Sequence, residues 1–239
     1  MTNLFSSFDP GIRIFSIKIR LNWRAGLIAV LITPQSYWLL NSQLTRRFIS
    51  VIIFLKNELG AVFGGGALPG TSYLFIRLFF FILFSNLMGL IPYIFTRTSH
   101  MSVTLILSLP LWIGTILYSV LFQYNSLLAH LVPTGTPGPL IPVIVVIETV
   151  SNIIRPATLA IRLAANIVAG HLLLTLLGSQ GPNLGGAVLA ALFIALVLLL
   201  LLEVAVACIQ SYVFTILSSL YLNELISVKF NLYSANNYN

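Results

Sequence analysis

Charged and amide side chains interrupt a strongly apolar stretch of the chain between Glu148 and His171. The stretch reads ETVSNIIRPATLAIRLAANIVAGH, and most of its residues favour hydrocarbon over water. An arginine at membrane depth is costly, by an amount that depends on how far its side chain can reach toward water. Because an arginine cannot lose its charge to avoid that cost, we expect a function that requires these charges.

The composition excludes a soluble protein. Of the 239 residues, 58% are hydrophobic and only 7% are charged, whereas a soluble domain carries about 25% charged residues. At about 20 residues for each crossing, the chain is long enough for about five or six spans with their loops. The sequence therefore predicts a polytopic membrane protein.

The formal net charge of +7 is better explained by lipid than by nucleic acid. Nine of the basic side chains lie before residue 100, where they flank the first apolar runs and suit lipid headgroups. We therefore expect the lipid bilayer as a partner and no nucleic acid. Cys208 is the single cysteine, without a partner for a disulfide or a metal site, and we expect no metal and no cofactor.

The apolar runs divide a single membrane domain, residues 1–239, into segments. Arg46, Arg47, Lys56 and Glu58 make a spanning helix unfavourable over residues 44–63, so we predict an amphipathic helix in the membrane interface there. The remaining segments are a polar N-terminus (1–24), a first span (25–40), a membrane hairpin (72–95 and 101–123) and two long helices (139–177 and 187–228).

The last segment is too long for a perpendicular span. Neither Gly nor Pro occurs from Ala187 to Val228, and one helix of that length would measure about 63 Å, about twice the hydrocarbon thickness. Either the helix breaks without a helix-breaking residue or it is steeply tilted. We favour the tilted helix, which packing along a partner would explain.

Helical geometry groups the polar side chains of residues 148–171. At about 100° per residue and with Arg162 at zero, Arg155 lies at about +20°, Glu148 and Asn166 at about +40° and Asn152 at about +80°. His171 lies near 180°, on the opposite face. Glu203 and Gln210 are seven positions apart and share a face of the last segment.

Each of these residues also has an ordinary structural explanation. Arg155 could pair with a carboxylate, Glu203 could stay protonated in the interior, and His171 could be a packing residue. Asn86, Asn152 and Asn166 could hydrogen-bond between helices. Arg162 is the hardest to explain in this way, because it lies among alanine, isoleucine and leucine with no acidic residue nearby in sequence.

Small residues near Arg162, among them Ala160, Ala164, Ala165, Ala169 and Gly170, allow another helix to approach closely. Intramembrane acids and a histidine on either side of a fixed positive charge suggest a proton path that this charge interrupts. From the residues alone, we infer a membrane subunit that handles protons together with a partner.

At these residues the sequence resembles subunit a of the F-type ATP synthases. The most specific motifs are RPATLAIRLAANIVAGHLL and LEVAVACIQSYVFTIL, with further likeness in NLMGLIPY (86–93) and SNIIRP (151–156). Many bacterial members have an acid at the position of His171 and a histidine at that of Glu203. This chain has the exchanged pair of mitochondrial members, and it is most similar to arthropod mitochondrial sequences.

The resemblance implies an all-α fold with an N-terminal transmembrane helix, an amphipathic interfacial helix, a membrane hairpin and two long tilted membrane helices packed against a c-ring. It also implies the role of each proton-translocating residue. Arg162 is the essential arginine that faces the ring carboxylates and prevents protons from passing directly between two half-channels. Asn166, His171, Glu203 and Gln210 form the half-channel for proton uptake, and Glu148 and Asn152, together with Arg155, the half-channel for release.

The same resemblance implies a non-catalytic subunit of the mitochondrial inner membrane. Its partners are the c-ring, other membrane-sector and peripheral-stalk subunits, and protons. Two alternatives remain: a proton-coupled secondary transporter of a small anion, and a purely structural subunit of a respiratory complex. No internal repeat is visible in the sequence, which weighs against the transporter.

Overall fold

The computed structural model describes residues 12–14, 17–19, 43–64, 70–91, 94–122, 137–181 and 185–236. The expected first span (25–40) lies outside the described residues, as does most of the expected polar N-terminus (1–24). Helices dominate the described part. In chain order they are α1 (Gln43–Phe63), α2 (Thr71–Leu90), α3 (Met101–Phe122), α4 (Ile141–Gln180) and α5 (Gly186–Asn236).

A short β-hairpin near the N-terminus was not predicted. β1 (Ile12–Ile14) pairs antiparallel with β2 (Ile17–Ile19), and the register places Arg13 opposite Lys18. The alternation of isoleucine with a basic residue in IRI and IKI is the period-2 pattern of strands.

Helix α1 is amphipathic. Leu55, Leu59 and Phe63 recur at intervals of four and are buried, whereas Arg46 and Lys56 are exposed. The helix ends at Phe63 and is followed by Gly64, whose φ of 53° lies in the left-handed region that glycine adopts without strain. The structure thus has a helix with one apolar face over this stretch, and its place in the membrane interface stays a prediction.

Four described helices are long and apolar enough to cross a membrane: Thr71–Leu90, Met101–Leu121, Gly138–Gln180 and Val188–Asn223. Large apolar side chains remain exposed along these helices, among them Ile106, Leu121 and Phe193. Monomeric proteins in water rarely expose apolar surface on this scale. The all-α polytopic membrane class is therefore confirmed.

The two long helices are continuous. Helix α4 has 40 residues and contains Pro156 without interruption, and α5 has 51 residues. Of the two alternatives for the last segment, the unbroken helix is the one observed, because nothing in its sequence interrupts the backbone hydrogen bonds. Its tilt in the membrane stays a prediction.

The chain forms two compact units, each built from several segments. Of the described residues, those within 1–41, 78–104 and 161–213 belong to unit 1, and those within 42–77, 105–160 and 214–239 belong to unit 2. The buried apolar residues of unit 1 are Phe79, Phe80, Ile82, Leu163, Ala164, Ile167 and Ala207. Those of unit 2 are Leu55, Leu59, Phe63, Phe75, Ile76, Leu159, Ala160 and Phe214.

Candidate functional site

A cavity of about 210 Å³, lined mostly by apolar side chains together with a few polar ones, lies in unit 1 between helices α4 and α5. Helix α4 contributes Asn166, Gly170 and His171 to its lining, and α5 contributes Glu203 and Gln210. Residues four apart share a face of one helix, and so do residues seven apart. Helical spacing thus places Asn166 with Gly170 and Glu203 with Gln210 on faces that line one space, which is large enough for several water molecules.

One hydrogen bond joins the two walls of this cavity. The side-chain amide of Asn166 donates to Oε1 of Gln210 over 3.0 Å. Gln210 is 4% exposed, and its Nε2 has no hydrogen-bond partner among the described residues. The bond fixes the orientation of Gln210, so its amide nitrogen is held in place as a donor for another group.

Glu203 is the buried acid of the cavity. The residue is 7% exposed, and neither carboxyl oxygen has a hydrogen-bond partner among the described residues. An unpaired carboxylate in the interior costs several kcal/mol unless it is hydrated or takes up a proton. The geometry therefore suits a group that gains and loses protons in exchange with water.

Gly170 is part of the site, although the sequence indicated only a small residue that allows a neighbouring helix to approach. In the structure the carboxyl group of Glu203 occupies the space beside Gly170. A Cβ atom on Gly170 would contact Oε1 of Glu203 and would lie 2.8 Å from its Cδ. The carboxyl of Glu203 can keep its observed position only with glycine at position 170, which no pattern in the sequence reveals.

His171 lines the same cavity and is half-buried. The imidazole also hydrogen-bonds with the backbone of Gly89, near the end of α2. A backbone partner at one ring nitrogen fixes the tautomer and the orientation of the ring. Helical phase alone separated His171 from Asn166. The structure brings both to one cavity, because the cavity is wide and extends along more than one face of α4.

Arg162 has a different environment. Its side chain is exposed, while Leu163 and Ala164 beside it are buried in the core of unit 1. Arg162 has no ion pair and no hydrogen bond with any described residue. A permanent positive charge is thus presented on the outer surface of α4.

A second polar cluster lies in unit 2. Arg155 and Glu148 are two turns apart on α4, and Nη2 of Arg155 lies 3.7 Å from Oε1 of Glu148. Their side chains are 29% and 40% exposed, respectively. The guanidinium also lies over the ring of Tyr221 from α5, 5.2 Å from the ring centroid. Asn152 is half-buried on the same stretch of α4.

The sequence did not indicate Tyr221, because an isolated tyrosine in a membrane protein is common and has no local signal of a role. The sequence also favoured a hydrogen bond between helices for Asn86. Asn86 is fully buried, yet neither of its polar side-chain atoms has a partner among the described residues.

The chain matches the family model described as ATP synthase A chain over residues 25–223. It is 47% identical over 225 residues to "ATP synthase subunit a" of Locusta migratoria and 50% identical to that of Drosophila melanogaster. It is 46% identical over 226 residues to the protein of the same name from Aedes aegypti. Each comparison covers 94% of this chain and 99% of the relative.

Proposed function

The chain belongs to the ATP synthase A chain family, and from that premise we propose how its residues conduct protons. As the proton-channel subunit of the F-type ATP synthase, it passes protons to and from a rotor and so drives ATP synthesis. The observation that carries the residue assignment is the cavity of unit 1, in which a buried acid and a half-buried histidine lie in otherwise apolar surroundings.

The cavity of unit 1 is the half-channel for proton uptake. Water in the cavity carries the proton to the group formed by His171 and Glu203, where the acid has space to accept it. Asn166 and Gln210 hold the water in place by hydrogen bonds. The proton then passes to a carboxylate on the rotor, the c-ring, and neutralises it. Only the neutral carboxyl crosses lipid at low cost, which makes rotation possible.

Glu148 and Asn152 of unit 2 belong to the half-channel for proton release, together with Arg155. A carboxyl that returns from lipid meets water there and ionises. Arg162 favours the ionised form of that carboxyl, because an opposite charge nearby stabilises it. Since the guanidinium does not titrate, it cannot relay a proton, and it keeps the two half-channels separate. Each proton that crosses 100 mV supplies about 2.3 kcal/mol.

We place the protein in the mitochondrial inner membrane as a multi-pass, non-catalytic subunit. Insect relatives at 46% and 50% identity support this placement, as does the exchange of histidine and acid at His171 and Glu203. The proposed partners are the c-ring, the other membrane-sector and peripheral-stalk subunits, and the lipid bilayer. The alternative of a small-anion transporter finds no support, since the named relatives are ATP synthase subunits.

Substitution of Arg162 tests the proposal. We expect Arg162→Ala to abolish ATP synthesis driven by a proton gradient while the complex still assembles, because protons then pass without rotation. Arg162→Lys should fail as well, since an ammonium is a compact charge that lacks the planar fork of a guanidinium. Arg46→Ala is the control, because it removes an exposed arginine outside both clusters. Normal synthesis in either Arg162 variant contradicts the mechanism.

A further inference from the structure

The ion pair of Arg155 and Glu148 spans an unusual separation on one helix. The residues are seven positions apart, about 10.5 Å along the helix axis, whereas ordinary intrahelical pairs are three or four apart. Long side chains on a helix point back toward its N-terminus, which directs Arg155 toward Glu148. To reach 3.7 Å, both side chains must stay extended, and an arginine in water would populate many other rotamers.

The ring of Tyr221 restricts the conformational freedom of the extended Arg155 side chain. Its ring lies under the guanidinium at 5.2 Å from centroid to Cζ, within the distance at which a cation is attracted to an aromatic face. The ring is half-buried and comes from α5, so it does not follow the motion of the α4 side chains. A planar guanidinium that rests on a planar ring loses much of its freedom to turn.

We propose that Tyr221 is a positioning residue that holds the guanidinium of Arg155 against Glu148. It acts through Arg155 and does not itself transfer a proton. In the proposed mechanism Glu148 and Arg155 belong to the half-channel for proton release, so the placement of the guanidinium sets the electrostatic surroundings through which a proton leaves the rotor. The inference rests on the proposed function, because it assigns Tyr221 to the half-channel for proton release.

A cavity of about 30 Å³ beside the ring allows a direct test. Tyr221, Pro156 and Leu159 are among the residues that line it, and its size is close to that of one water molecule. The space accommodates part of a larger aromatic ring at position 221. Tyr221→Trp therefore retains the aromatic platform, Tyr221→Phe retains it without the hydroxyl, and Tyr221→Leu removes it while keeping an apolar side chain.

The experiment measures proton conduction per assembled complex in membranes that contain the ATP synthase. We expect Tyr221→Leu to lower the rate about threefold to tenfold, the range of a partly desolvated cation–π contact. Tyr221→Phe and Tyr221→Trp should stay within about twofold of the unsubstituted protein. In an Arg155→Gln background, Tyr221→Leu should cause no further loss, because the group through which it acts is absent. If Tyr221→Leu does not assemble, Tyr221→Met, which is flexible and adapts to irregular space, takes its place.

An equal loss from Tyr221→Leu in both backgrounds would mean that the ring only fills space, and would overturn the proposal. A loss from Tyr221→Phe as large as that from Tyr221→Leu would overturn it too, because the aromatic face would then not be what matters. Arg162→Ala, measured alongside, separates the role of Tyr221 from the proposed function. If its ATP synthesis is normal, the proposed function fails. If its synthesis is lost and Tyr221→Leu conducts normally, only the role of Tyr221 fails.

Discussion

Replacement of Gly170 by alanine should slow proton uptake, because the added methyl group would clash with the carboxyl of Glu203. The added Cβ would lie 2.8 Å from Cδ of Glu203, and carbon atoms normally approach to about 3.5 Å. The carboxyl must therefore move by about 0.7 Å or more. Misplacement of a reacting group by about 1 Å can cost about 100-fold in rate, so we expect a loss of about tenfold to 100-fold, equivalent to about 1.4 to 2.7 kcal/mol.

The assay for Gly170→Ala is the rate of proton conduction per assembled complex. Gly178→Ala is the matched control, because Gly178 lies on the same helix and a Cβ there meets no atom within 4 Å. Alanine also favours a helix over glycine by about 1 kcal/mol, so this control should assemble at least as well. Glu203→Asp withdraws the carboxyl by one methylene group and should restore part of the rate to Gly170→Ala. Equal conduction by the two alanine variants would refute the reasoning.

Two further predictions concern contacts that support the clusters. Gly89→Ala should destabilise the complex by about 1 to 3 kcal/mol, because the new Cβ would lie 2.9 Å from Cγ2 of Thr96. Thr96→Ser removes that methyl group. The double variant Gly89→Ala with Thr96→Ser should therefore regain the thermal stability that Gly89→Ala alone loses. Asn223→Leu should lower the thermal stability of the complex by about 1 to 2 kcal/mol, since it removes the 2.7 Å hydrogen bond that Asn223 donates to the carbonyl of Val62. Its conduction per assembled complex should not change, and a selective loss of conduction would show a direct role for Asn223.

The sequence was sufficient for features that follow from local periodicity and the cost of charge in lipid. Apolar runs indicated the four described helices that can cross a membrane. The absence of Gly and Pro after Ala187 indicated the continuity of α5. The charge of Arg162 within an apolar stretch indicated that this residue has a function beyond packing.

Features that depend on contacts between segments distant in the chain were not predictable. Tyr221 lies far from Arg155 in sequence, and only the packing of α5 against α4 within unit 2 brings them together. Gly170 was grouped with other small residues because no local signal shows that a carboxyl occupies its open side. The β-hairpin was missed because each strand has only three residues, which is too short for a reliable period-2 signal.

The two arginines of α4 differ in how their charges are compensated. Arg155 has a carboxylate at 3.7 Å and an aromatic ring, so its charge is compensated within unit 2. Arg162 has neither among the described residues, and the whole chain has only five acidic residues against twelve basic ones. A charge that remains in lipid without compensation is costly, so a counter-charge from another subunit best accounts for it. Under the proposed function, that counter-charge is a carboxylate of the c-ring. Arg162 would then stabilise its ionised form and so favour release of the proton.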